Sequence, residues 1–316
     1  MHPKITVWAV TVLLGAGVCP AHGPEPVFFS TEDGLDLVGT YYAPDEGTNA
    51  PVVILLHMYR SDRSAWDPIL ETLHSQGLAV LAIDLRGHGQ SIHPTSMDLK
   101  QKVAARDEAT FRAMWRDVMA AYAWLTEQPN VDLSRLALVG ASVGCSVAID
   151  YAARDRSVDV VVCMTPGEKY LGVDSRKHIA EYAKHSLRPI LLLATEKERQ
   201  ACDALGKIHK SADVHIVGPG KVHGTRMFGQ IDGIEDQMAE FLVKHLGQPG
   251  QKPVAAAVDG AEYFDLDSAL DIDLEPGHRR LFTSATEAKA RGLRRAPDPE
   301  AAKIVDGLDP VRESAP

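Results

Sequence analysis

The stretch Leu136–Gly144, read as LALVGASVG, decides the fold that this sequence predicts. Four apolar residues lead into a Gly-x-Ser-x-Gly turn, and a helical composition follows it. A serine placed between a buried strand and a helix projects from a sharp turn, the arrangement of a nucleophile elbow. Gly140 and Gly144 lack the Cβ atoms that would obstruct backbones approaching closely at such a turn. The pattern therefore predicts that Ser142 is a nucleophile.

The rest of the chain contains the two partners that such a serine needs. A hydroxyl becomes nucleophilic only when a base accepts its proton, and a histidine base needs an acid to orient it. In elbow enzymes the order along the chain is Ser, then Asp or Glu, then His. Glu198 follows the apolar run 189–194, and His223 follows a short strand in a loop rich in Gly and Pro. We predict a triad of Ser142, Glu198 and His223, with Glu196 as an alternative acid.

Three further motifs carry a resemblance to a known family. They are LLHMYRSDRSAW at residues 55–66, DLRGHGQS at residues 84–91 and His-Gly at residues 223–224. Together with the elbow, they make the chain from residue 26 to residue 246 resemble bacterial α/β-hydrolases of the dienelactone hydrolase-like and serine-esterase kind. The resemblance implies that the backbone N–H groups of Tyr59 and Val143 form the oxyanion hole.

Two positions depart from the pattern of that family. Met58 stands where the family usually has glycine, and Glu198 stands where it most often has aspartate. His57 is expected to shape the oxyanion loop, as Gly140 and Gly144 shape the elbow. The spacings of zinc sites are absent from the sequence, so we predict neither a metal nor a cofactor.

Several polar residues near these motifs have structural interpretations. His88 is expected to be a turn residue beside the site, and Asp84 is expected to hold that turn by accepting backbone N–H groups. Lys169, Tyr170 and Arg226 could line a pocket, but we expect each to be a solvated surface residue.

Apolar runs alternate with helical patterns, which predicts an α/β fold. The first two strands have an Asp-Gly turn between them and predict an antiparallel hairpin. The later runs are continuously apolar, as in parallel strands covered on both faces. We predict an α/β-hydrolase fold, a mostly parallel doubly wound sheet with an antiparallel N-terminal hairpin, plus a small C-terminal appendage. The predicted strands are 27–30, 37–42, 52–56, 79–83, 136–139, 158–164, 190–194 and 214–217, and the predicted helices are 65–76, 107–125, 145–153, 176–184, 200–209 and 230–245.

Three segments are predicted along the chain: an export signal (1–23), a catalytic domain (24–247), and a linker with a small acidic and basic α+β appendage (248–316). In the appendage we expect a strand near 270–274, a short helix at 283–291 and disorder from Pro297 onward. The signal predicts a periplasmic or secreted protein. Cys19 leaves lipidation, and hence membrane attachment, as an alternative.

Composition and charge exclude several function classes. The 316-residue chain has a formal net charge of −10, which argues against a general affinity for nucleic acid. Neither a Walker loop nor a dinucleotide-binding fingerprint is present in the sequence.

The predicted function is hydrolysis of small-molecule carboxylic esters, such as short acyl esters or lactones, through an acyl-enzyme. Only about twenty residues separate the strand ending at Met164 from the next strand, too few for a cap domain, so we expect a fairly open site. The alternatives are a peptidase or amidase of the same fold and a non-catalytic binding protein on the same scaffold.

Overall fold

The computed structural model describes most of the predicted catalytic domain and parts of the appendage. Residues 1–22 of the predicted export signal, including Cys19, lie outside the described residues, and so do the predicted linker at 248–253, the strand near 270–274 and the end from Pro297. The described ranges are 23–92, 97–185, 188–247, 254–257, 260–265, 279–282, 288–289 and 291–296.

The chain enters the sheet through an antiparallel hairpin of β1 (Glu25–Ser30) and β2 (Asp36–Tyr42). In its turn, the Thr31 N–H donates to the Leu35 carbonyl at 2.8 Å. Gly34 has φ +80°, a conformation that glycine adopts without steric cost. The hairpin that the Asp-Gly turn predicts is therefore confirmed.

Eight strands form the main sheet in the order β1-β2-β4-β3-β5-β6-β7-β8. β2 pairs with β4 in antiparallel fashion, and all pairs from β4 to β8 are parallel. The chain moves from β3 to β4 on one side and then returns to β5 on the other side of β3. Ligands of doubly wound sheets bind at such a reversal, beyond the carboxyl ends of the strands. The strands after the hairpin are β3 (Ala50–Leu56), β4 (Ala79–Ile83), β5 (Val131–Ala141), β6 (Val158–Met164), β7 (Ile190–Ala194) and β8 (Ala212–Ile216).

Helices cover both faces of this sheet, so alternate residues of one strand belong to different cores. In β3, Ile54 packs in one apolar cluster with α4 to α7, and Val53 and Leu55 pack in the other with α1 and α8. In the described part of the chain, none of the helices combines the length and apolar character needed to cross a bilayer. The helices are α1 (Asp67–Ser75), α2 (Met97–Ala104), α3 (Glu108–Arg112), α4 (Trp115–Leu125), α5 (Val143–Arg154), α6 (Ser175–Tyr182), α7 (Arg199–Ile208) and α8 (Ile234–Leu246).

The prediction of a single helix over residues 107–125 is wrong, because the structure has two helices there, α3 and α4. Between them the backbone tightens: the Met114 N–H donates to the Phe111 carbonyl at 3.1 Å, and the Asp117 N–H donates to the Met114 carbonyl at 3.0 Å. These bonds span three residues rather than four, which is the 3-10 geometry. Asp117 is buried and accepts both the backbone N–H and Nε of Arg86, at 2.8 and 2.7 Å.

Helix α2 was not predicted, since its short and largely polar sequence shows no helical stripe. It packs on the loop that follows β4: a Cβ atom at Gly87 would lie 2.7 Å from Cγ2 of Val103. The Tyr59 hydroxyl donates to the Val103 carbonyl at 3.2 Å. Helix α2 therefore supports the loop after β3 as well.

A second, four-stranded sheet follows α8 in the order β11-β9-β10-β12. It has its own buried cluster, which includes Val254, Tyr263, Phe282 and Leu293. Of the helix predicted at 283–291, only residues 288, 289 and 291 are described. The strands are β9 (Val254–Ala257), β10 (Glu262–Asp265), β11 (Arg279–Phe282) and β12 (Arg294–Arg295).

Two glycines allow α5 to begin directly against the centre of the main sheet. A Cβ atom at Gly144 would lie 2.1 Å from the carbonyl oxygen of Leu56 in β3. A Cβ atom at Gly140 would lie 2.3 Å from the carbonyl oxygen of Gly144. Both obstacles are backbone atoms of packed elements, so neither can rotate away. The close approach of α5 to β3 therefore requires glycine at both positions.

Gly144→Ala should reduce the free energy of unfolding by about 3 kcal/mol or more, because its methyl group would displace a central strand. Gly167→Ala is the matched control. Its Cβ atom would lie 3.3 Å from Cδ2 of Tyr170, a side chain that can move. The control should lose less than about 1 kcal/mol. Urea denaturation of both variants measures the difference, and equal losses would contradict the steric argument.

Candidate active site

Ser142 has the backbone conformation of a sharp turn between β5 and α5. Its φ is +54° and its ψ is −114°, and its N–H donates to the Met164 carbonyl of β6 at 2.9 Å. A non-glycine residue in such a region costs on the order of 1–3 kcal/mol, which the packing around it must offset. The residue is only 2% exposed. Ser142 is therefore more buried than the prediction of a fairly open site implied.

Two backbone N–H groups near the elbow are free to bind an oxyanion. The N–H of Val143 is the first of α5 and has no acceptor within the described ranges, as expected at a helix start. The N–H of Tyr59, in the loop after β3, likewise has none there. These are the two donors that the sequence resemblance implies, and they follow adjacent strands of the sheet.

His57 holds the peptide group to which the Tyr59 N–H belongs. Its ring Nδ1 donates to the Met58 carbonyl at 2.8 Å, and its Nε2 accepts the Leu85 N–H at 3.0 Å. The Ser61 N–H also donates to the Met58 carbonyl, at 3.1 Å. In a trans peptide the carbonyl and the following N–H point in opposite directions. Fixing the Met58 carbonyl therefore fixes the direction of the Tyr59 N–H.

Both ring nitrogens of His57 are engaged, so this histidine is neutral. Burial, with a smaller contribution from the neighbouring His88, lowers its pKa to about 3. A ring with both nitrogens engaged has no lone pair with which to accept a proton from a substrate. The expectation that His57 shapes the oxyanion loop agrees with this geometry.

The turn after β4 is organised by Asp84, as expected. The buried Asp84 carboxylate accepts the Arg63 N–H and the Gln90 N–H, each at 2.7 Å. It also pairs with the Arg63 guanidinium. His88 is buried in the same turn, and its Nδ1 donates to the Arg86 carbonyl at 3.1 Å. Both residues have structural partners.

His223 and Glu198 meet at the carboxyl edge of the sheet. His223 Nδ1 lies 2.9 Å from Glu198 Oε1. A carboxylate oxygen only accepts, so Nδ1 carries the hydrogen and Nε2 keeps the lone pair that a base requires. Glu198 Oε2 is buried and has no hydrogen-bond partner among the described residues.

The alternative acid, Glu196, is directed elsewhere. Both of its carboxylate oxygens lie 3.2 Å from Nη1 of Arg199. Its side chain is 55% exposed, compared with 13% for Glu198. The structure therefore pairs His223 with Glu198 rather than with Glu196.

Two threonines that sequence reasoning missed hold the loop on both sides of His223. The Gly224 N–H donates to Thr165 Oγ1 at 2.8 Å, and the Val222 N–H donates to Thr195 Oγ1 at 3.2 Å. Both threonines are buried. They are the first residues after β6 and β7, and that position at the carboxyl edge was the available signal.

The histidine loop packs on the elbow through Gly224. A Cβ atom there would lie 3.0 Å from Sδ of Met58 and 3.5 Å from Cβ of Ala141, the residue before Ser142. Among the described residues, no hydrogen bond joins the Ser142 hydroxyl to His223. The structure thus brings the loops of the three predicted triad residues to one edge and makes the Glu198–His223 contact directly.

A cavity of about 370 Å³ opens beside His223, between the loops that follow β6, β7 and β8. Its wall is rich in polar side chains. Lys169 and Tyr170 belong to it, Lys169 as an exposed residue and Tyr170 as a partly buried one, and Arg226 is exposed as expected. The lining residues include Thr165, Glu168, Lys169, Tyr170, Lys197, Glu198, Gln200, Lys221 and His223.

The three cysteines of the described chain are buried free thiols. The Sγ of Cys145 donates to the Gly140 carbonyl at 3.1 Å, inside the elbow. Burial raises the pKa of Cys145, and it raises the pKa of Cys202 to about 12. Protonated thiols are poor nucleophiles, so these residues pack rather than react. In the part of the chain described, no three His, Cys, Asp or Glu side chains are grouped to hold a metal ion.

Comparison with known proteins places this chain in a family. The sequence profile described as "Serine aminopeptidase, S33" matches residues 47–204, half of the chain. An uncharacterized protein of Mycobacterium tuberculosis is 32% identical over 146 residues, which cover 43% of this chain and 47% of that protein. The chain thus spans about half the length of the curated relatives it matches.

Solved structures share the fold at low sequence identity. An esterase of Pyrococcus furiosus has a TM-score of 0.57 and 20% identity, covering 71% of this chain and 93% of that chain. A dienelactone hydrolase of Anabaena variabilis has a TM-score of 0.53 and 20% identity, covering 70% of this chain and 95% of that chain. These similarities confirm the predicted α/β-hydrolase fold.

The environment of His57 predicts a loss of stability in acid. Between the ordinary pKa of 6.5 and the folded pKa of about 3, the unfolded chain binds a proton at His57 that the folded chain does not bind. The stability that neutral His57 contributes is therefore present above pH 6.5 and lost as the pH falls towards 3, by up to about 1.4 kcal/mol per pH unit. Urea denaturation of the protein and of His57→Gln between pH 7 and pH 4 measures this slope. His57→Gln should show a flatter dependence.

His215→Gln is the matched control, because His215 is exposed on β8. In this variant, the free energy of unfolding should depend on pH as steeply as it does in the unmodified protein. If His57→Gln and His215→Gln gave the same slope, the assignment of this proton to His57 would be wrong.

Proposed function

The chain belongs to the α/β-hydrolase family described as serine aminopeptidase, S33, and from that premise we propose that it cleaves carboxylic esters through Ser142, His223 and Glu198. One observation carries the proposal. The 2.9 Å contact between His223 and Glu198 leaves Nε2 of His223 as a free base, in a loop that packs on the residue before Ser142. The Glu198–His223 pair supports an acid and a base for acyl transfer, and the packing of its loop on the elbow supports Ser142 as the nucleophile.

The proposed reaction begins when His223 Nε2 takes the proton of the Ser142 hydroxyl as Oγ attacks the ester carbonyl carbon. The carbonyl oxygen becomes an oxyanion and accepts hydrogen bonds from the N–H groups of Tyr59 and Val143. His223 then gives its proton to the leaving alkoxide, and the acyl group stays on Ser142. Water, deprotonated by His223, releases the acid and restores the serine. Glu198 keeps the imidazole oriented and stabilises its positive charge.

The absence of a serine–histidine hydrogen bond among the described residues is compatible with this reaction. Catalytic hydrogen bonds are often long without substrate and shorten in the reactive complex. The buried position of Ser142 also suits the chemistry, because excluded water strengthens the oxyanion contacts.

The family description favours a second candidate, removal of N-terminal amino acids from peptides. An aminopeptidase must bind a protonated α-amine, for which a free carboxylate is the natural partner. Both carboxylates of the cavity are engaged, Glu168 with Arg176 at 2.6 Å and Glu198 with His223. Ester cleavage is therefore the better-supported proposal. Comparing 4-nitrophenyl acetate with amino acid 4-nitroanilides separates the two, and faster anilide cleavage would favour the peptidase.

Glu198→Gln should lower kcat for 4-nitrophenyl acetate by on the order of 10⁴-fold, because the amide no longer holds His223 in the reactive tautomer. Glu196→Gln is the matched control and should stay within about twofold of the unmodified enzyme. The reverse order of effects would assign the acid to Glu196. A fluorophosphonate probe should label the protein but not Ser142→Ala; absence of labelling in both would indicate a non-catalytic binding protein.

Thr165→Val should lower kcat by about tenfold, since it leaves the buried N–H of Gly224 without an acceptor and loosens the histidine loop. Valine keeps the shape of threonine, so packing is little changed. Thr165→Ser keeps the hydroxyl and should restore most of the rate. Steady-state kinetics with 4-nitrophenyl acetate test this, and equal rates in both variants would remove Thr165 from the positioning of His223.

A further inference from the structure

We propose that the cavity beside His223 binds an anionic group of the substrate, a carboxylate or a phosphate. This inference rests on the proposed ester hydrolysis, and it names the class of ester: one whose acyl or alcohol part is negatively charged. The cavity has a volume of about 370 Å³ and is lined by Lys169, Lys197 and Lys221 together with His223. A volume of this size accommodates a small ligand of a few carbon atoms.

The positive charges of the cavity are unpaired. Lys169, Lys197 and Lys221 are exposed, and among the described residues their ammonium groups make neither an ion pair nor a hydrogen bond. The amide of Gln200 and the hydroxyl of Tyr170 are also without partners there. Ammonium, amide and hydroxyl groups all donate hydrogen bonds, which is what an oxyanion accepts.

The negative charges of the same wall are fewer than the positive ones. Glu168 is balanced by Arg176 at 2.6 Å. Glu198 keeps its charge but is largely buried and accepts a hydrogen bond from the neutral His223 at 2.9 Å, so three lysines face one uncompensated carboxylate. This local balance opposes that of the whole chain, which has 33 Lys and Arg against 43 Asp and Glu and a net charge of −10. A cavity of opposite sign to the surrounding surface concentrates anions near its lining.

The backbones that carry the lysines are held in place before any ligand binds. The Glu196 N–H donates to the Gly218 carbonyl at 2.9 Å, and the Lys197 N–H donates to the Gly220 carbonyl at 3.0 Å, so the loops after β7 and β8 are joined beside Lys197 and Lys221. On the opposite wall, Tyr170 and Val173 exchange two backbone hydrogen bonds of 2.9 Å, which close the turn that follows Lys169. Loops that are already ordered lose less entropy when a ligand binds.

The cavity also lies where it would direct a substrate to the reacting groups. His223 belongs to its wall, and so does Thr165, which directly follows Met164. The carbonyl of Met164 accepts the N–H of Ser142 at 2.9 Å. An anion held by the lysines would thus be a short chain away from an ester carbonyl at Ser142, as in a half-ester of a small dicarboxylic acid.

The experiment compares charged and neutral esters of matched shape on the full-length chain. 4-Nitrophenyl hydrogen glutarate supplies a carboxylate, methyl 4-nitrophenyl glutarate is its neutral counterpart, and 4-nitrophenyl 4-phosphonooxybutanoate supplies a phosphate. We expect kcat/KM for one or both anionic esters to exceed that of the neutral ester by about tenfold in low salt. The preference should shrink in 0.5 M NaCl, where screening is stronger. Whichever anion shows the larger preference identifies the chemistry of the natural group.

The triple variant Lys169→Met/Lys197→Met/Lys221→Met should lose this preference and keep its rate on the neutral ester. Lys244→Met, at the end of α8, is the matched control. It should keep both the preference for anionic esters and the rate on the neutral ester. An equal rate on all three esters, or a preference that survives in the triple variant, would overturn the inference while leaving ester hydrolysis intact.

A binding measurement keeps the inference testable if no ester is hydrolysed, which would instead refute the proposed function. Calorimetry on Ser142→Ala compares glutaric acid mono-4-nitroanilide with its methyl ester. The acid should bind about tenfold more tightly, and the difference should disappear when the three lysines are also replaced. Equal affinities would refute the anion site.

Discussion

The active-site edge of this protein depends on one close contact between backbones, that of the first turn of α5 with the end of β3. Gly144 would place a Cβ atom 2.1 Å from the Leu56 carbonyl oxygen if it had one, so a helix can begin at this place only with glycine there. The contact forces Ser142 into its unusual conformation and leaves the Val143 N–H unpaired at the helix start. It also brings that N–H beside the loop that follows β3. The proposed nucleophile and the proposed oxyanion donors are positioned by the same packing.

The remaining parts of the site are held by side chains that do not take part in chemistry. His57 fixes the Met58–Tyr59 peptide, and Thr165 and Thr195 fix the backbone on either side of His223. In each case a buried polar group has its hydrogen-bonding capacity satisfied by a backbone group of a loop. An unpaired buried polar group costs free energy. These contacts therefore hold the irregular loops in one conformation, almost as firmly as hydrogen bonds hold a strand. Rigid support of this kind is what electrostatic stabilisation of an oxyanion requires.

The parts of the structure that sequence predicted well are those governed by local pattern. Continuous apolar runs identified the parallel strands, and the Asp-Gly turn identified the hairpin. The division between α3 and α4 was not visible because the apolar stripe continues through Met114, while the tight turn depends on the local backbone bonds. The choice of Glu198 over Glu196 was open in the sequence, since two glutamates two residues apart are distinguished only by where the short 3-10 turn Glu196–Glu198 directs them. Lys169 is exposed, as expected, but its place in the cavity wall was not visible because its neighbours there come from two other loops.

The base of the proposed triad follows an edge strand of the main sheet. Within the described part of the chain, β8 lies at the edge, pairs only with β7, and contains no fully buried residue, whereas Ser142 follows a strand at the centre. Edge segments of this kind fray at free energies below that of global unfolding. Mild heat or denaturant would then detach the imidazole while the serine stays embedded in an intact core. Inactivation would then precede melting, because the edge of the sheet would lose its structure before the core does.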